Sequence, residues 1–233
     1  MTQNNHSSSA IEQEVTIDAG SVRLEGILGD VPDPAGIVVF AHGSGSGRKS
    51  PRNQYVARQL HRAGMSTLLL DLLTPEEDQA YRNRFDIDLL EPRLAAACAW
   101  VRGQERYAGL PIGLFGASTG AAVALRLAAA HPSEFAAVVS RGGRPDLAGV
   151  FALGQVRTPT QLIVGGNDDQ VVSLNEGALA LLNCESRIEI VPGATHLFEE
   201  PGTLEAAAAL AAGWFASHFG AKPAERSPPE RIV

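Results

Sequence analysis

Ser118 lies in the sequence Gly116-Ala117-Ser118-Thr119-Gly120, between an apolar run over 110–115 and a run of small residues over 121–130. A serine flanked in this way, at a tight turn from a strand into a helix, is typical of a nucleophile elbow. Glycines suit the flanks because the residues two before and two after the serine are pressed together. The positive end of the following helix would stabilise negative charge at the serine during acyl transfer. The pattern predicts a nucleophilic serine, and the alternative is a glycine-rich turn with an inert one.

A serine hydroxyl is a weak nucleophile at neutral pH, so it needs a general base within reach and an acid that orients the base. At an elbow between strand and helix, the acid and then the histidine follow the serine along the chain. His218 falls within the predicted last helix, whereas His196 lies in a loop directly after a predicted strand. The other four of the six histidines do not follow the candidate acids: His6, His42, His61 and His131. We therefore predict His196 as the base, with a structural histidine as the alternative.

Three aspartates between the serine and the histidine are candidates for the acid: Asp146, Asp168 and Asp169. The last two follow directly after a predicted strand. Asp168 fits the acid turn better, since it ends Gly165-Gly166-Asn167-Asp168 and Val171 comes three residues later. Asp169 is the second choice. The alternative, in which the two aspartates cap the next helix, fits Asp169 better but could hold for both.

The apolar run 36–41 ends in His42-Gly43-Ser44-Gly45. A His-Gly-x-Gly loop after the strand that precedes the first helix presents backbone N–H groups to negative charge at the serine turn. We predict that Ser44 donates its backbone N–H there, and that His42 is a turn histidine which hydrogen-bonds the loop.

The same stretch also partly fits a phosphate-binding loop. Gly43, Lys49 and Ser50 match Gly-x-x-x-x-Gly-Lys-Ser, but Arg48 occupies the second glycine position. Ser50 followed by Pro51 is typical of a helix N-cap with proline at the first helical position. We therefore favour a loop that leads into a helix over a nucleotide site.

Strands and helices that could position these residues alternate along the chain. A hairpin is predicted over 15–28, and apolar runs predict buried strands at 36–41, 65–71, 110–115 and 135–140, with further strands from 158 to the two acids and at 187–191. Helices are predicted at 52–63, 89–104, 119–130, 173–183 and 203–219. The pattern predicts an α/β fold with a mostly parallel, twisted sheet of about seven or eight strands and helices on both faces. Only about twenty residues separate the strand at 135–140 from the next, too few for a large cap domain.

Residues 1–11 and 221–233 are predicted to be disordered tails around a single domain over residues 12–220. Three further side chains follow the carboxyl ends of strands, where pockets form in such sheets. These possible pocket residues are Arg84, Arg141 and Phe151. For Arg84 a solvated loop is favoured over substrate contact, and for Arg141 and Arg144 surface arginines on a turn are the more common outcome.

Composition excludes several classes of protein. The chain has 233 residues, 45% of them hydrophobic, with a net charge of −7 and no basic run, so we expect no nucleic-acid partner. The first ten residues lack the features of a secretory signal, and no apolar run approaches the ~20 residues of a membrane span. Cys98 and Cys184 have neither disulfide-framework nor metal-site spacing. We expect a cytoplasmic protein with reduced thiols, no membrane association, no metal and no cofactor.

The order of strand, His-Gly-x-Gly loop, elbow, acid turn and loop histidine resembles that of the α/β-hydrolase superfamily over residues 15–219. The segments 138–148 and 192–201 are most similar to serine-containing relatives of dienelactone hydrolase. This resemblance implies the α/β-hydrolase fold, Ser118 as nucleophile, His196 as base, Asp168 as orienting acid, and an oxyanion hole from the backbone N–H groups of Ser44 and Thr119. Dienelactone hydrolase itself has cysteine at the elbow, so the serine here argues against dienelactone as the substrate.

The sequence therefore indicates a serine hydrolase that cleaves a small carboxylic ester or thioester through an acyl-enzyme. Amidase or peptidase activity on the same residues is an alternative, as is a non-catalytic binding or regulatory module that retains the fold. Oligomeric state is left open by the sequence.

The nucleotide-site alternative is tested by the melting temperature in the presence of ATP. A ligand at ~100 times its Kd stabilises the folded state by about 2.7 kcal/mol. We expect ATP with Mg²⁺ to leave the melting temperature unchanged, and a rise of several degrees would contradict the interpretation of residues 43–50 as a loop leading into a helix.

Overall fold

The computed structural model describes residues 10–220, and within them eight strands form one sheet. They are β1 (Ile11–Asp18), β2 (Arg23–Asp30), β3 (Ile37–Ala41), β4 (Ser66–Leu70), β5 (Ile112–Ala117), β6 (Ala137–Arg141), β7 (Thr160–Gly165) and β8 (Ser186–Val191). Their order across the sheet is β1-β2-β4-β3-β5-β6-β7-β8. β2 is antiparallel to both of its neighbours, and the other neighbouring pairs are parallel. The predicted class and the mostly parallel sheet are confirmed.

The five central strands are buried along their whole length. In β3, β4, β5, β6 and β7 every residue is buried, whereas the edge strands β1 and β8 are mostly exposed or half-buried. Continuous apolar runs rather than alternating ones encode these strands because helices cover both of their faces.

Helices cover both faces of the sheet, as predicted. They are α1 (Pro51–Arg62), α2 (Pro75–Asp78), α3 (Ile87–Arg102), α4 (Thr119–Ala130), α5 (Val150–Gln155), α6 (Asp169–Leu179) and α7 (Thr203–His218). α1 and α7 pack on one face through side chains such as Leu60 and Phe215. α3, α4, α5 and α6 pack on the other through side chains such as Leu94 and Val123. Within residues 10–220, no helix is both long enough and apolar enough to span a membrane.

The connection between β6 and β7, residues 142–159, contains a 3-10 turn (Pro145–Ala148) and the short helix α5. The described part of the chain thus has no large cap domain, in agreement with the prediction. No cap domain within the described residues covers the carboxyl ends of β5, β7 and β8, and the residues that follow these strands lie at the same end of the sheet.

Two local predictions were wrong. The helix predicted from Ser173 begins at Asp169, since the Val172 N–H already donates to the Asp168 carbonyl over 2.9 Å. Val171 and Val172 are β-branched and have low helix propensity, but burial of Val171 in α6 outweighs this preference. The segment around Arg84, for which a solvated loop is predicted, contains α2 and a 3-10 turn (Tyr81–Phe85).

The two predicted tails lie almost wholly outside the described residues. Of residues 1–11, only Ala10 and Ile11 are described, and Ile11 begins β1. Residues 221–233 are not among those described.

The packing of α4 against the sheet predicts a large effect of one added methyl group. A Cβ on Gly120, in the first turn of α4, would overlap the carbonyl oxygen of Ala41 at the end of β3. We expect Gly120→Ala to lower the free energy of unfolding by at least about 2 kcal/mol, because backbone rather than a flexible side chain must move.

Gly177→Ala is the matched control, since Gly177 lies inside α6 with nothing within 4 Å of an added Cβ. This change should stabilise the protein by about 0.5–1 kcal/mol. Urea denaturation of both variants measures the difference, and equal effects would contradict the close approach of α4 to β3.

Candidate active site

Ser118 lies between β5 and α4 with a backbone φ of +50°, in the left-handed region that residues other than glycine rarely adopt. Such a conformation costs on the order of 1–3 kcal/mol and persists only where the surroundings hold it. Here the Ser118 N–H donates to the Arg141 carbonyl over 3.2 Å, and the Ser118 carbonyl accepts from the Arg144 N–H over 3.0 Å. Backbone hydrogen bonds to the end of β6 and to the segment after it therefore hold the strained turn.

Glycine is required at three positions around this turn. A Cβ on Gly116 would lie 2.6 Å from the Gly120 carbonyl oxygen, which is the crowding that the sequence predicts between the two flanks of the serine. A Cβ on Gly120 would overlap the end of β3, and one on Gly43 would lie 2.9 Å from the Ser118 Cβ. The loop after β3 therefore passes directly against the serine.

The structure brings Ser118, His196 and Asp168 together from the carboxyl ends of β5, β8 and β7. His196 Nε2 is 3.2 Å from Ser118 Oγ, and His196 Nδ1 is 2.7 Å from Asp168 Oδ2. With its proton on Nδ1, the imidazole donates to Asp168 and leaves the Nε2 lone pair to accept the serine O–H; this tautomer is assigned from the hydrogen-bond partners. The side chains of His196 and Asp168 are 37% and 18% exposed, so the site is open to solvent.

The loop that carries His196 is folded onto the end of β7 and onto itself. A Cβ on Gly165 would lie 2.5 Å from the Ala194 carbonyl oxygen, so the loop passes directly over the last residue of β7. Glu200 accepts hydrogen bonds from the Thr195 N–H and hydroxyl at 3.0 and 2.6 Å. These bonds hold the pKa of Glu200 below its ordinary value.

The remaining candidates for acid and base lie elsewhere. Asp169 is exposed in the first turn of α6, where its carbonyl accepts from the Ser173 hydroxyl. Asp146 pairs with Arg144 at 2.7 Å, and His218 Nδ1 lies 2.8 Å from the Trp214 carbonyl oxygen. Geometry therefore favours Asp168 over Asp169 and His196 over His218.

The His-Gly-x-Gly loop is held by its histidine. His42 Nδ1 lies 2.8 Å from the Gly43 carbonyl oxygen, and His42 Nε2 accepts from the Leu72 N–H over 3.0 Å. Burial lowers the pKa of His42, which favours the neutral ring that these two bonds require. The geometry agrees with the predicted role of His42 as a turn histidine.

Two backbone N–H groups near Ser118 have no acceptor. Within residues 10–220, neither the Ser44 N–H nor the Thr119 N–H donates a hydrogen bond. One follows Gly43, whose close approach to Ser118 is described above, and the other begins α4, where the helix dipole adds positive potential. Unpartnered donors at this point are suited to bind a developing negative oxygen.

The last three polar residues of the stretch that partly fits a phosphate-binding loop have partners within the protein. Arg48 forms an ion pair with Asp71, Lys49 lies 3.9 Å from Glu14, and Ser50 accepts from the Asn53 N–H at the start of α1. An open cavity of about 470 Å³ lies beside this segment and is lined by, among others, His42, Gly45, Arg52 and Asp71.

The three predicted pocket residues have different surroundings. Arg84 forms two hydrogen bonds to the Asp78 carboxylate, at 2.7 and 2.8 Å, so its charge is neutralised beside Gly45. Phe151 is 82% exposed on α5. Arg141 is buried, which contradicts the expectation of a surface arginine, whereas Arg144 is half-buried and paired with Asp146.

Sequence reasoning missed Asn175, which supports the segment after β6. Asn175 is fully buried in α6, and its Nδ2 donates to the carbonyls of Gly143 and Val171 at 2.9 and 2.8 Å. A lone amide on the buried face of a predicted helix was the available signal. In the described part of the chain, no group of three or more His, Cys, Asp or Glu side chains is arranged to hold a metal ion.

The chain is similar in sequence to known proteins. Residues 34–211 match the family "Alpha/beta hydrolase domain". The chain is 55% identical over 208 residues to a Mycobacterium tuberculosis protein named "Putative phosphoribosyl transferase", a match that covers 89% of this chain and 47% of that protein. The chain thus spans about half the length of that curated relative.

Solved structures that share the fold include the following two. A dienelactone hydrolase from Anabaena variabilis is 50% identical, with a TM-score of 0.87 over 90% of this chain and 99% of that one. Est1E from Butyrivibrio proteoclasticus is 14% identical, with a TM-score of 0.72 over 90% of this chain and all of the other.

The contact between Asp168 and His196 predicts that the two adjacent aspartates respond differently to substitution. Asp168→Asn should lower the rate at which a fluorophosphonate labels Ser118 by about 10²- to 10⁴-fold, because an amide favours the wrong imidazole tautomer. Asp169→Asn is the matched control and should react at the wild-type rate. Intact-mass time courses measure both rates. Slower labelling of Asp169→Asn than of Asp168→Asn would show that Asp169, and not Asp168, acts as the acid.

Proposed function

The chain belongs to the alpha/beta-hydrolase family as a relative of dienelactone hydrolase, and we propose that it is a serine hydrolase of small carboxylic esters or thioesters. The observation that carries this proposal is the hydrogen-bonded series Ser118 Oγ, His196 Nε2, His196 Nδ1 and Asp168 Oδ2, with separations of 3.2 and 2.7 Å. A serine, a neutral imidazole and a carboxylate in this order are the groups that acyl transfer requires.

In the first half of the proposed reaction, Ser118 Oγ attacks the carbonyl carbon of the ester while His196 Nε2 takes the serine proton. Asp168 stabilises the resulting imidazolium, and the N–H groups of Ser44 and Thr119 donate to the negative oxygen of the tetrahedral intermediate. The intermediate collapses as the carbon–oxygen or carbon–sulfur bond to the leaving group breaks. His196 gives its proton to the departing alcohol or thiol, and the acyl group is left on Ser118.

In the second half, a water molecule takes the place of the leaving group. His196 Nε2 accepts a proton from this water as its oxygen attacks the acyl carbon, and the same two N–H groups stabilise the second tetrahedral intermediate. Collapse breaks the bond to Ser118 Oγ, which recovers its proton from His196. One ester and one water thus give one acid and one alcohol or thiol.

The site is open enough to admit an ester from solvent. His196 is more than a third exposed, and the connection after β6 contains only a 3-10 turn and the short helix α5. The 50%-identical Anabaena variabilis protein is named for a lactone, which is a cyclic ester, and this supports an ester or thioester rather than an amide. We further propose a cytoplasmic location, supported by the unpaired state of Cys98 and Cys184.

Loss of the nucleophile provides the test. Wild-type protein should hydrolyse p-nitrophenyl acetate or a short acyl thioester, whereas Ser118→Ala should fall by about 10³-fold or more, because the covalent route is removed. Its melting temperature should remain near that of the wild type or rise, since alanine removes only a hydroxyl.

Ser44→Ala is the control, because it alters a side chain in the same site and retains the backbone N–H that the mechanism uses. It should remain within a few-fold of wild-type activity. Equal turnover by wild type and Ser118→Ala would contradict the proposal, and no turnover of any ester, thioester or anilide by the wild type would favour a non-catalytic module.

A further inference from the structure

Arg141 is the last residue of β6, next to the serine turn, and its side chain is buried. Of the arginines that the structure describes, only Arg93 and Arg141 are buried, each 7% exposed. Arg93 pairs with Glu77 at 2.8 Å, whereas no described carboxylate lies within ion-pair distance of Arg141. Arg141 is therefore a buried cation without a neutralising partner.

The contacts of the Arg141 guanidinium are two aromatic rings and an amide. Its Cζ lies 5.9 Å from the ring centroid of Phe115 and 5.9 Å from that of Phe198. Nη2 is 3.5 Å from the Asn53 Oδ1 in the first turn of α1, and Nη1 has no hydrogen-bond partner. Both ring distances are within the range of cation–π attraction, which is stronger where water is excluded.

Burial of this charge is unfavourable. Burial and the nearby charge of Arg52 lower the pKa of the Arg141 guanidinium to about 10. An apolar side chain of similar volume would fill the same space without the loss of hydration. Packing alone therefore does not account for an arginine at this position.

The two rings belong to the two segments that carry the proposed nucleophile and base. Phe115 lies in β5, three residues before Ser118, and Phe198 follows His196 by two residues. The segment after β6 packs against the histidine loop, since a Cβ on Gly142 would be 3.1 Å from the His196 carbonyl oxygen and 3.4 Å from the Phe198 ring. Arg141 thus contacts both the strand that leads to Ser118 and the loop that carries His196.

We propose that Arg141 is a positioning residue, whose guanidinium between Phe115 and Phe198 holds the His196 loop at hydrogen-bond distance from Ser118. This inference rests on the proposed function, in which His196 must stay near Ser118 through both halves of the reaction. The loop also contacts α1 through the ion pair between Glu199 and Arg52 at 3.0 Å, which is partly exposed and screened by solvent.

A double-mutant cycle on Arg141 and Phe198 tests the inference. Arg141→Met keeps the volume and removes the charge, and Phe198→Leu keeps an apolar side chain and removes the ring. Each should lower kcat for p-nitrophenyl acetate about 10- to 100-fold with KM within about 3-fold of wild type, as expected where only the geometry of the reacting groups suffers. The double variant should be no slower than the slower single variant, because both changes break the same contact.

Arg102→Met is the matched control. Arg102 ends α3, pairs with Glu134 at 2.8 Å and also lies over a phenylalanine ring, with its Cζ 5.3 Å from the Phe135 centroid, and none of these residues belongs to the site. Its kcat should equal that of the wild type. Wild-type kcat in Arg141→Met, or single effects that multiply in the double variant, would overturn the inference.

Arg141→Lys covers the case in which Arg141→Met fails to fold. Lysine keeps the charge but lacks a planar group to lie between two rings, so a folded Arg141→Lys should still lose kcat. Wild-type kcat in this variant would overturn the inference.

Fluorophosphonate labelling of Ser118 separates this inference from the proposed function. A labelled wild type with an equally fast Arg141→Met overturns the positioning role alone. A wild type that is neither labelled nor active on any ester overturns the proposed function and this role together.

Discussion

The tight turn at Ser118 is the constraint on which the site depends. A positive φ at a serine is unfavourable, and the surrounding backbone has to enforce it. Gly116 and Gly120 let the start of α4 approach β5 and the end of β3, and Gly43 lets the next loop pass against the serine. Ser44 and Thr119, whose N–H groups have no acceptor among the described residues, directly follow Gly43 and Ser118. One backbone geometry therefore supports both the proposed nucleophile and the proposed oxyanion hole.

The parallel sheet brings the other two side chains to this turn. Because β5, β6, β7 and β8 run in the same direction, their carboxyl ends meet at one edge, and residues 78 positions apart in the sequence lie within 3.2 Å. The end of β6 links them, because the Arg141 carbonyl accepts from the Ser118 N–H and the Arg141 side chain contacts Phe198, two residues after His196. β6 carries none of the three proposed catalytic side chains, yet it contacts the segments that carry Ser118 and His196.

Most of the fold could be predicted from the sequence because buried parallel strands leave a strong signal, as in the apolar run 36–41. Ser118 and His196 could be selected by residue type and order along the chain. The acid turn already favoured Asp168 over Asp169, but the start of α6 was predicted at Ser173 instead of Asp169, so the surroundings of each side chain came only from the structure. The burial of Arg141 could not be predicted, since an arginine after a strand is usually solvated and only the rings from two distant segments show otherwise.

The central claim is that the reaction proceeds through an acyl-enzyme on Ser118. Detection of that intermediate tests the claim most directly. Wild-type protein mixed with excess p-nitrophenyl acetate, quenched in acid within the first turnovers and digested, should carry one acetyl group on the peptide containing Ser118. The adduct should disappear once the ester is consumed. Steady turnover without an adduct on Ser118, or with a transient adduct on another residue, would contradict the account.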